Sequence, residues 1–172
     1  GLEELFQALP AVTADLEIHL RGRLGTPEST WLHHLIPDSW RARVFTHPLV
    51  SNEELLSRIA EHDIGFAGEM KYCRSRDLTV TNKLFQYLLG GLAVIASDTA
   101  GQREIAAAAP EAISIYPSGD VPALAAVLNR LLDSTETLAR SRAAALRAAQ
   151  ESFCWEKSSR TFLQLLEPGP LN

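Results

Sequence analysis

Five short apolar runs, each followed by a stretch with helical periodicity, constrain the fold of this 172-residue chain more than any other feature. The runs are rich in Ile, Val and Phe and are bounded by Gly, Pro, Asp or His, which favours buried strands over helices. They lie at residues 16–20, 44–46, 64–67, 93–96 and 113–116. Strands that alternate with helices are joined by right-handed crossovers and form a parallel sheet covered on both faces. We therefore expect an α/β domain of three layers with a parallel sheet of five to six strands.

Capping signals predict where three of the helices begin. Ser51 opens a capping-box pattern, in which an acidic residue three positions later completes the reciprocal hydrogen bonds. Thr81 precedes a predicted helix over 82–89, which the glycine pair that follows would end. Asp120 opens a further helix with a proline just inside it, and a helical pattern also covers 135–151. The last predicted helix holds Trp155, Phe162, Leu165 and Leu166.

The first residues also have the pattern of a helix, with apolar residues between 2 and 9 on one face, before the first predicted strand. Doubly wound domains begin instead with a strand that lies in the middle of the sheet. We therefore expect the chain to be N-terminally truncated from a longer protein, with residue 1 just after a central strand. A native start on a helix is the alternative. One domain is expected over 1–166, with a tail at 167–172 whose prolines cannot continue a helix.

Composition and charge exclude several classes of protein. The chain carries 16 Lys and Arg against 21 Asp and Glu, a net charge of −5, whereas proteins that bind a nucleic-acid backbone normally carry the opposite balance. No window approaches the roughly eighteen apolar residues of a transmembrane helix. The two cysteines, Cys73 and Cys154, stand far apart in no ligand-like spacing. This argues against a disulfide framework or a structural zinc site and indicates a reducing, cytoplasmic compartment.

The loops after the predicted strands are the expected place for a ligand, because ligands of open parallel sheets bind outside the carboxyl ends of the strands. Helix starts in such loops present free N–H groups and a dipole that favour anions. No GxGxxG or Walker A motif occurs, which argues against nicotinamide cofactors and phosphate-loop hydrolysis. The loops lie at residues 21–23, 47–50, 68–81, 97–102 and 117–119.

Lys83 is the most informative residue in these loops and helix starts. It stands in the first turn of the predicted helix over 82–89. A cation there opposes the helix dipole and costs a few tenths of a kcal/mol unless an anion lies nearby. A bound phosphate would remove that conflict. The alternative is a lysine whose ammonium group is simply solvated on the outer face of the helix.

The stretch over 81–98 resembles the C-terminal, donor-binding domain of GT-B glycosyltransferases, above all the group 1 family that uses nucleotide-sugar donors. Segments at 44–55, 62–67, 118–120 and 153–156 are similar to that family in the same order and spacing. The resemblance therefore spans nearly the whole chain, and it implies a Rossmann-like fold as the C-terminal half of GT-B. The residues that match the family motif are Asn82, Lys83, Leu84, Phe85, Tyr87, Gly91, Val94, Ile95, Ala96, Asp98, Gly101 and Glu104.

The chain departs from the family motif at two acidic positions. Gln86 stands where the family has a ribose-binding Glu, and an amide offers one carbonyl acceptor where a carboxylate accepts two hydroxyl hydrogen bonds with charge assistance. Leu78 stands where many relatives carry a second acidic residue near the donor sugar, although Asp77 is adjacent. These departures leave open whether the site is weakened, altered or inactive.

The resemblance also implies roles for individual residues. The donor's diphosphate would lie against helix-terminal N–H groups and the Lys charge, and the residues concerned are Thr81, Asn82, Lys83 and Leu84. Gln86 would face the ribose, and Leu49 and Val50 would meet the base, largely through their backbone. Gly68, Thr99 and Gly101 would line the cleft. Glu104 is a further candidate, with the alternative that it lies at the start of the next helix, where a carboxylate favours the dipole.

Metal chemistry and nucleophilic catalysis find less support in the sequence. His33, His34 and His47 have no carboxylate or cysteine at metal spacing, so we interpret them as surface or turn histidines. No Gly-x-Ser-x-Gly nucleophile elbow occurs. Enzymes of the resembled family stabilise the leaving nucleoside diphosphate with positive charge and helix dipoles. We therefore expect neither a metal nor a resident cofactor, and the catalytic residue stays unknown.

Together, the resemblance implies a glycosyltransferase in which this chain binds a nucleoside-diphosphate sugar. The acceptor, a sugar or a lipid-linked sugar, would be held by an N-terminal domain outside the chain, and peripheral membrane association of the full-length protein is left open. The fragment alone is expected to bind nucleotide weakly and to transfer nothing. One alternative is a non-catalytic GT-B-like binding or assembly module. The other is a sugar-nucleotide epimerase or hydrolase on the same fold.

Overall fold

The computed structural model describes residues 1–166, without the side chains of Thr161 and Leu165, and the predicted tail at 167–172 lies outside the described residues. Strands and α-helices alternate along the described chain. The strands are β1 Ile18–Arg21, β2 Val44–His47, β3 Ile64–Ala67, β4 Ala93–Ser97 and β5 Ile113–Tyr116. The helices are α1 Leu2–Ala8, α2 Thr26–Leu35, α3 Asn52–Ile59, α4 Arg74–Leu78, α5 Asn82–Leu89, α6 Ala100–Ala108, α7 Val121–Leu132, α8 Thr135–Glu151 and α9 Trp155–Leu166. Short 3₁₀ helices lie at Leu9–Ala11 and Asp38–Arg43.

All five predicted strands are present, each within two residues of its predicted bounds. Helices α2 and α4 are additions to the sequence prediction. Helix α4 lies inside the segment 68–81, which we had treated as a single loop, and it is only five residues long. Helix α2 carries His33 and His34 in its last turn, both exposed, so these two histidines lie on the surface as predicted but within a helix.

The five strands form two parallel sheets, which corrects the prediction of a single sheet with five to six strands. β1 pairs with β2, and β4 lies between β3 and β5. Within the described residues, β1 and β3 are not paired with each other. Apolar runs predict which segments are extended, but pairing requires backbones about 4.8 Å apart, and that spacing is set by tertiary packing. The strand expected before residue 1 lies outside this chain and stays a prediction.

Helices cover both faces of the three-stranded sheet, as the three-layer prediction requires. Successive side chains of a strand point to opposite faces, and the fully buried strand β4 divides accordingly. Ala93 and Ile95 pack in one cluster with side chains of α1 and α7. Val94 and Ala96 pack in a second cluster with side chains of α5, α6 and α8. The carboxyl end of β4 therefore opens between two helical layers.

The predicted helix starts are confirmed in position. Ser51 and Glu54 form both hydrogen bonds of the capping box at the start of α3. The Asp120 carboxylate accepts the N–H of Ala123 at the start of α7. Helix α5 begins after Thr81, but the Thr81 side chain makes no capping hydrogen bond. Its hydroxyl is engaged elsewhere, in the site described below.

The described residues also bear on the membrane and cysteine predictions. No helix between residues 2 and 166 is long and apolar enough to cross a membrane. Cys73 and Cys154 are both free thiols, and Cys73 is exposed. The last helix, α9, forms as predicted, but several of its apolar side chains, including Trp155 and Phe162, are exposed.

Candidate functional site at the carboxyl ends of the strands

Polar side chains meet where β3, β4 and β5 end. We define the strand-end cluster as Glu69, Ser97, Asp98, Gln102 and Ser118. Glu69 follows β3, Ser97 is the last residue of β4, and Ser118 follows β5, so parallel pairing brings the three together. The carboxyl edge of the sheet is therefore a polar surface at the position where sequence reasoning placed the ligand.

Ser97 and Gln102 form the buried part of the strand-end cluster, and both are fully inaccessible to solvent. The Gln102 amide nitrogen donates to the backbone carbonyl of Ala67 at 2.8 Å. Ser97 Oγ lies 2.9 Å from Gln102 Oε1 and accepts the N–H of Glu69 at 2.8 Å. Because every polar atom of this pair has a partner, the pair holds the end of β3 and the backbone of Glu69 in place.

Lys83 lies in the first turn of α5 and pairs with the strand-end cluster. Its Nζ is 2.9 Å from Oε1 of Glu69, and the Thr81 hydroxyl donates to the same oxygen at 3.2 Å. A lysine near a helix N-terminus opposes the dipole, and a carboxylate beside it removes that penalty. The sequence left open a bound phosphate or a solvated lysine, and in this structure the anion beside Lys83 is the Glu69 carboxylate.

Asp98 is the second carboxylate at this edge and is surrounded by donors. Lys71 Nζ lies 2.6 Å from its Oδ1, the same oxygen accepts the N–H of Ser118 at 2.8 Å, and Arg103 lies 3.8 Å from its Oδ2. Burial alone would raise the pKa of Asp98. The hydrogen bonds from Lys71 and Ser118 and the charges of Lys71 and Arg103 outweigh it, so the pKa lies below its ordinary value. Asp98 is therefore an anion at neutral pH.

The residues at the start of α5 that are predicted to bind the diphosphate differ in their exposure to solvent. Asn82 and Lys83 are exposed. Leu84 is fully buried, and its N–H already donates to the carbonyl of Thr81 at 3.2 Å, so it offers a ligand little beyond packing. Gln86 is half-buried, one turn further along the helix. Anion contacts at this helix would thus come mainly from Thr81, Asn82 and Lys83.

Three further predicted residues, Gly68, Thr99 and Gly101, lie beside the strand-end cluster and are buried. A Cβ on Gly68 would come within 2.4 Å of the Phe66 ring, and a Cβ on Gly101 would come within 2.5 Å of the carbonyl oxygen of Leu78. Both glycines allow close approach of neighbouring segments. Thr99 is the N-cap of α6, and its hydroxyl accepts the N–H of Gln102 at 3.3 Å. These three residues therefore shape the edge through packing and capping.

Glu104 is exposed and is the fifth residue of α6, which begins at Ala100. The first turn of that helix contains no acidic residue. The interpretation of Glu104 as a carboxylate at the helix start is therefore wrong, since the start of α6 is set by the cap at Thr99. Its role toward a ligand stays a prediction.

Asp77 also serves α6. Its Oδ1 accepts the N–H of Ala100 at 3.0 Å, so this carboxylate is engaged at a helix start. Leu78, at the position where relatives carry an acid, is exposed at the end of α4. Asp77 does not act as a free substitute for that acid in this structure.

The residues predicted to meet the base lie in a separate part of the edge. Leu49 is exposed and lines a surface cleft of about 500 Å³ together with residues of the loops after β1 and β2. Arg21 fixes these two loops to one another by donating to the carbonyl of Pro48 at 2.8 Å. Val50 is half-buried and directly precedes the cap of α3. The described residues that line the cleft include none from α5.

Histidines gather near β1 and β2. His19 stacks on His47 and contacts His62, with ring centroids 5.3 and 4.7 Å apart, and His19 Nδ1 lies 3.0 Å from His47 Nε2. Burial, followed by the charge of His19, lowers the pKa of His62 below its ordinary value. Within residues 1–166 no group of three or more His, Cys, Asp or Glu is arranged to hold a metal ion.

The sequence analysis missed Glu69 and Gln102 as members of the site. Glu69 carried a usable signal, because it is the first charged residue after a buried strand and so stands at the carboxyl edge. Gln102 carried none, since a glutamine five residues after a strand is ordinarily a helix-surface residue. Both gain their position from contacts across 28 to 35 residues of sequence.

Comparison with known proteins identifies solved structures with a similar fold, but it identifies no family that is related by sequence. No protein-family model matches the chain, and no curated protein matches it significantly. Sucrose-phosphate synthase from Thermosynechococcus elongatus matches with a TM-score of 0.73 and 17% identity, over 96% of this chain and 42% of its own. Anabaena HepE, solved with UDP-glucose, matches with a TM-score of 0.74 and 18% identity, over 96% and 44%. WaaG, a glycosyltransferase involved in lipopolysaccharide biosynthesis, matches with a TM-score of 0.69 and 15% identity, over 98% and 44%.

These likenesses confirm the predicted fold. The chain spans less than half the length of each of the proteins just named. At identities of 15 to 18% the likeness concerns the fold and leaves the chemistry of the site to be argued from its own residues. The chain has the α/β fold of a part of the GT-B glycosyltransferases, the family that its motifs resemble.

Proposed function

We propose that this chain is the donor-binding part of a glycosyltransferase and binds a nucleoside-diphosphate sugar at the carboxyl edge of its sheet. The observation that carries the proposal is the position of Lys83, an exposed cation in the first turn of α5 beside the strand ends. Its neighbours Thr81 and Asn82 add a hydroxyl and the N-terminal end of the helix. HepE, which shares the fold, has been solved with UDP-glucose.

The chemistry proposed for this edge is stabilisation of the leaving nucleoside diphosphate. Negative charge develops on the diphosphate as its bond to the donor sugar breaks and the sugar passes to the acceptor, and a fixed cation and helix N–H groups lower the energy of that charge. Gln86, one turn along α5, would hold the ribose through a single amide acceptor. No metal is required for these contacts. The acceptor, a sugar or a lipid-linked sugar, would be held by a domain outside this chain.

Titration calorimetry of the chain with UDP, GDP and ADP tests the proposal. We expect one nucleotide to bind selectively, and Lys83→Ala to weaken that binding by roughly tenfold, because a charge-assisted contact to phosphate is lost. Gln86→Glu should keep or tighten binding, since a carboxylate accepts two ribose hydroxyls. Arg140→Ala is the matched control, because Arg140 is exposed on α8 and the substitution removes the same charge. Equal losses in Lys83→Ala and Arg140→Ala would contradict a donor site at α5.

A non-catalytic binding or assembly module is the second candidate, and one observation favours it. The two acids of the family motif are absent at Gln86 and Leu78, and the adjacent Asp77 is engaged with the N–H of Ala100. Such a module would bind nucleotide without transferring sugar. Donor hydrolysis and transfer assays on the full-length protein distinguish the two candidates: turnover supports the enzyme, and nucleotide binding without turnover supports the module.

A further inference from the structure

The carboxylate of Glu69 occupies the anion-binding position of Lys83. Oε1 of Glu69 lies 2.9 Å from Lys83 Nζ and accepts the Thr81 hydroxyl at 3.2 Å. A single carboxylate oxygen therefore engages two of the groups that would meet a diphosphate. The Glu69 side chain is 13% exposed and the Lys83 side chain 49%, so the acid is the more deeply placed partner.

The position of Glu69 is built into the fold. Its N–H donates to Ser97 Oγ at 2.8 Å, and its carbonyl oxygen lies at the same distance from that hydroxyl. Ser97 is fully buried and is held in turn by Gln102. The backbone of Glu69 is thus anchored to β4 and α6, whereas its carboxylate is held by the side chains of Lys83 and Thr81.

The pairing differs from the other ion pairs of the described residues. In each of those pairs the acidic side chain is more exposed than that of Glu69, and most are at least half exposed. An ion pair of exposed groups contributes little and is screened by salt. The shielded carboxylate of Glu69 competes more strongly, because a diphosphate arriving at Lys83 would meet a negative charge that water screens poorly.

We infer that Glu69 is an internal competitor that sets the affinity of the site for nucleoside diphosphates. The inference rests on the proposed function and assigns an affinity-determining role to a residue that the sequence motif does not include. The carboxylate holds Lys83 and Thr81 until a diphosphate binds, and it turns away when the diphosphate takes its place. Removing its charge while keeping its shape frees Lys83 for the ligand.

Glu69→Gln in the full chain is the direct test, because Gln keeps the side-chain length and can still accept the Thr81 hydroxyl. Calorimetric titration with UDP, GDP and ADP at low ionic strength should show roughly three- to tenfold tighter binding of the selected nucleotide than in the wild type. Glu111→Gln is the control, since Glu111 pairs with Arg147 at 3.3 Å on an exposed part of the surface. It removes the same charge and should leave the affinity unchanged.

A double-mutant cycle separates competition at Lys83 from a general effect of charge. In a Lys83→Ala background, Glu69→Gln should improve binding much less than in the wild type, because the contested cation is gone. Thermal melting of each variant shows whether it is folded. Glu69→Ala serves as the second variant if Glu69→Gln does not fold.

The outcomes distinguish the inference from the proposed function. If Glu69→Gln or Glu69→Ala binds nucleotide more tightly than the wild type and Glu111→Gln does not, the inference is supported. The same holds if the wild type shows no measurable binding and a Glu69 variant binds. If the wild type binds nucleotide and the folded Glu69 variants bind it equally well or more weakly, the inference is overturned and the donor site stays in place. Absence of binding in the wild type and in every folded Glu69 variant overturns both.

Discussion

Glu4 and Tyr116 join the first helix to the last strand of the larger sheet through a buried hydrogen bond. The Tyr116 hydroxyl donates to Oε2 of Glu4 at 2.7 Å, and the other carboxylate oxygen accepts the N–H of Gly119 at 2.9 Å. Burial, and then the hydrogen bond to Glu4, raise the pKa of Tyr116, so its hydroxyl remains protonated and donates at any physiological pH. One carboxylate therefore fixes α1 against both β5 and the loop that follows it.

Tyr116→Phe should destabilise the chain by about 1.5–3 kcal/mol, because a hydrogen bond to a buried charged group is lost. The ring can stay in the core, where it contacts Phe66 at a centroid distance of 6.2 Å. Urea denaturation measures the free energy of unfolding. Tyr72→Phe is the control, since Tyr72 is 70% exposed and the same hydroxyl is removed. A loss in Tyr116→Phe no greater than that in Tyr72→Phe would show that the Glu4 contact adds no stability.

Gln102→Leu should cost about 2–4 kcal/mol, because the carbonyl of Ala67 and the hydroxyl of Ser97 both lose a buried partner. Glutamine and leucine are similar in volume, so the change in packing alone should lower the free energy of unfolding by less than this. Gln150→Leu, on the exposed face of α8, is the matched control. The midpoint of urea unfolding distinguishes the two variants. Equal midpoints would mean that the buried amide contributes nothing to holding the end of β3.

Apolar patterning predicted the strands well because burial and strand length are local properties of the sequence. β3 and β5 have the predicted bounds, and the alternation of Ala93 to Ala96 between two cores follows directly from strand geometry. Helix starts were equally predictable where a cap is local, as at Ser51 and Asp120. The short helix α4 was missed, since its five residues carry no apolar periodicity.

Strand pairing and the polar contacts of the site could not be predicted in the same way, because they depend on residues distant in sequence. The contact between Glu4 and Tyr116 joins residues 112 positions apart, and the contact between Gln102 and Ala67 joins residues 35 positions apart. Lys83 shows the intermediate case. The helix dipole indicated that a nearby anion would be favourable and left a bound phosphate and a solvated lysine as the two interpretations, and only the fold shows that Glu69 lies beside it.

Gly101→Ala should destabilise the chain by about 1–3 kcal/mol, although alanine is the better helix former. A Cβ at this position would lie 2.5 Å from the carbonyl oxygen of Leu78, which is backbone and cannot rotate away. Helix α6 would have to move from the segment that leads into α5. In Gly22→Ala, by contrast, the new Cβ meets nothing within 4 Å. The urea midpoints of the two variants provide the measurement, and unchanged stability of Gly101→Ala would contradict the close approach.

The lowered pKa of His62 predicts that the chain loses stability as the pH falls below neutrality. The unfolded chain takes up a proton on this imidazole near its ordinary pKa of 6.5, whereas the folded chain resists it through burial and the charge of His19. The contribution of His62 is therefore fully present above pH 6.5 and is lost as the pH falls through its lowered value in the folded chain. Glu61 favours the proton, and His47 and Arg21 oppose it.

Thermal unfolding between pH 7.5 and 5.5 measures this dependence, and His62→Phe should make it less steep. Phenylalanine keeps a ring beside His19 but cannot titrate, so the part of the slope that belongs to His62 disappears. His33→Phe is the control, because it makes the same substitution at an exposed position on α2. Equal slopes in the wild type and in His62→Phe would mean that His62 titrates alike in the folded and unfolded chain.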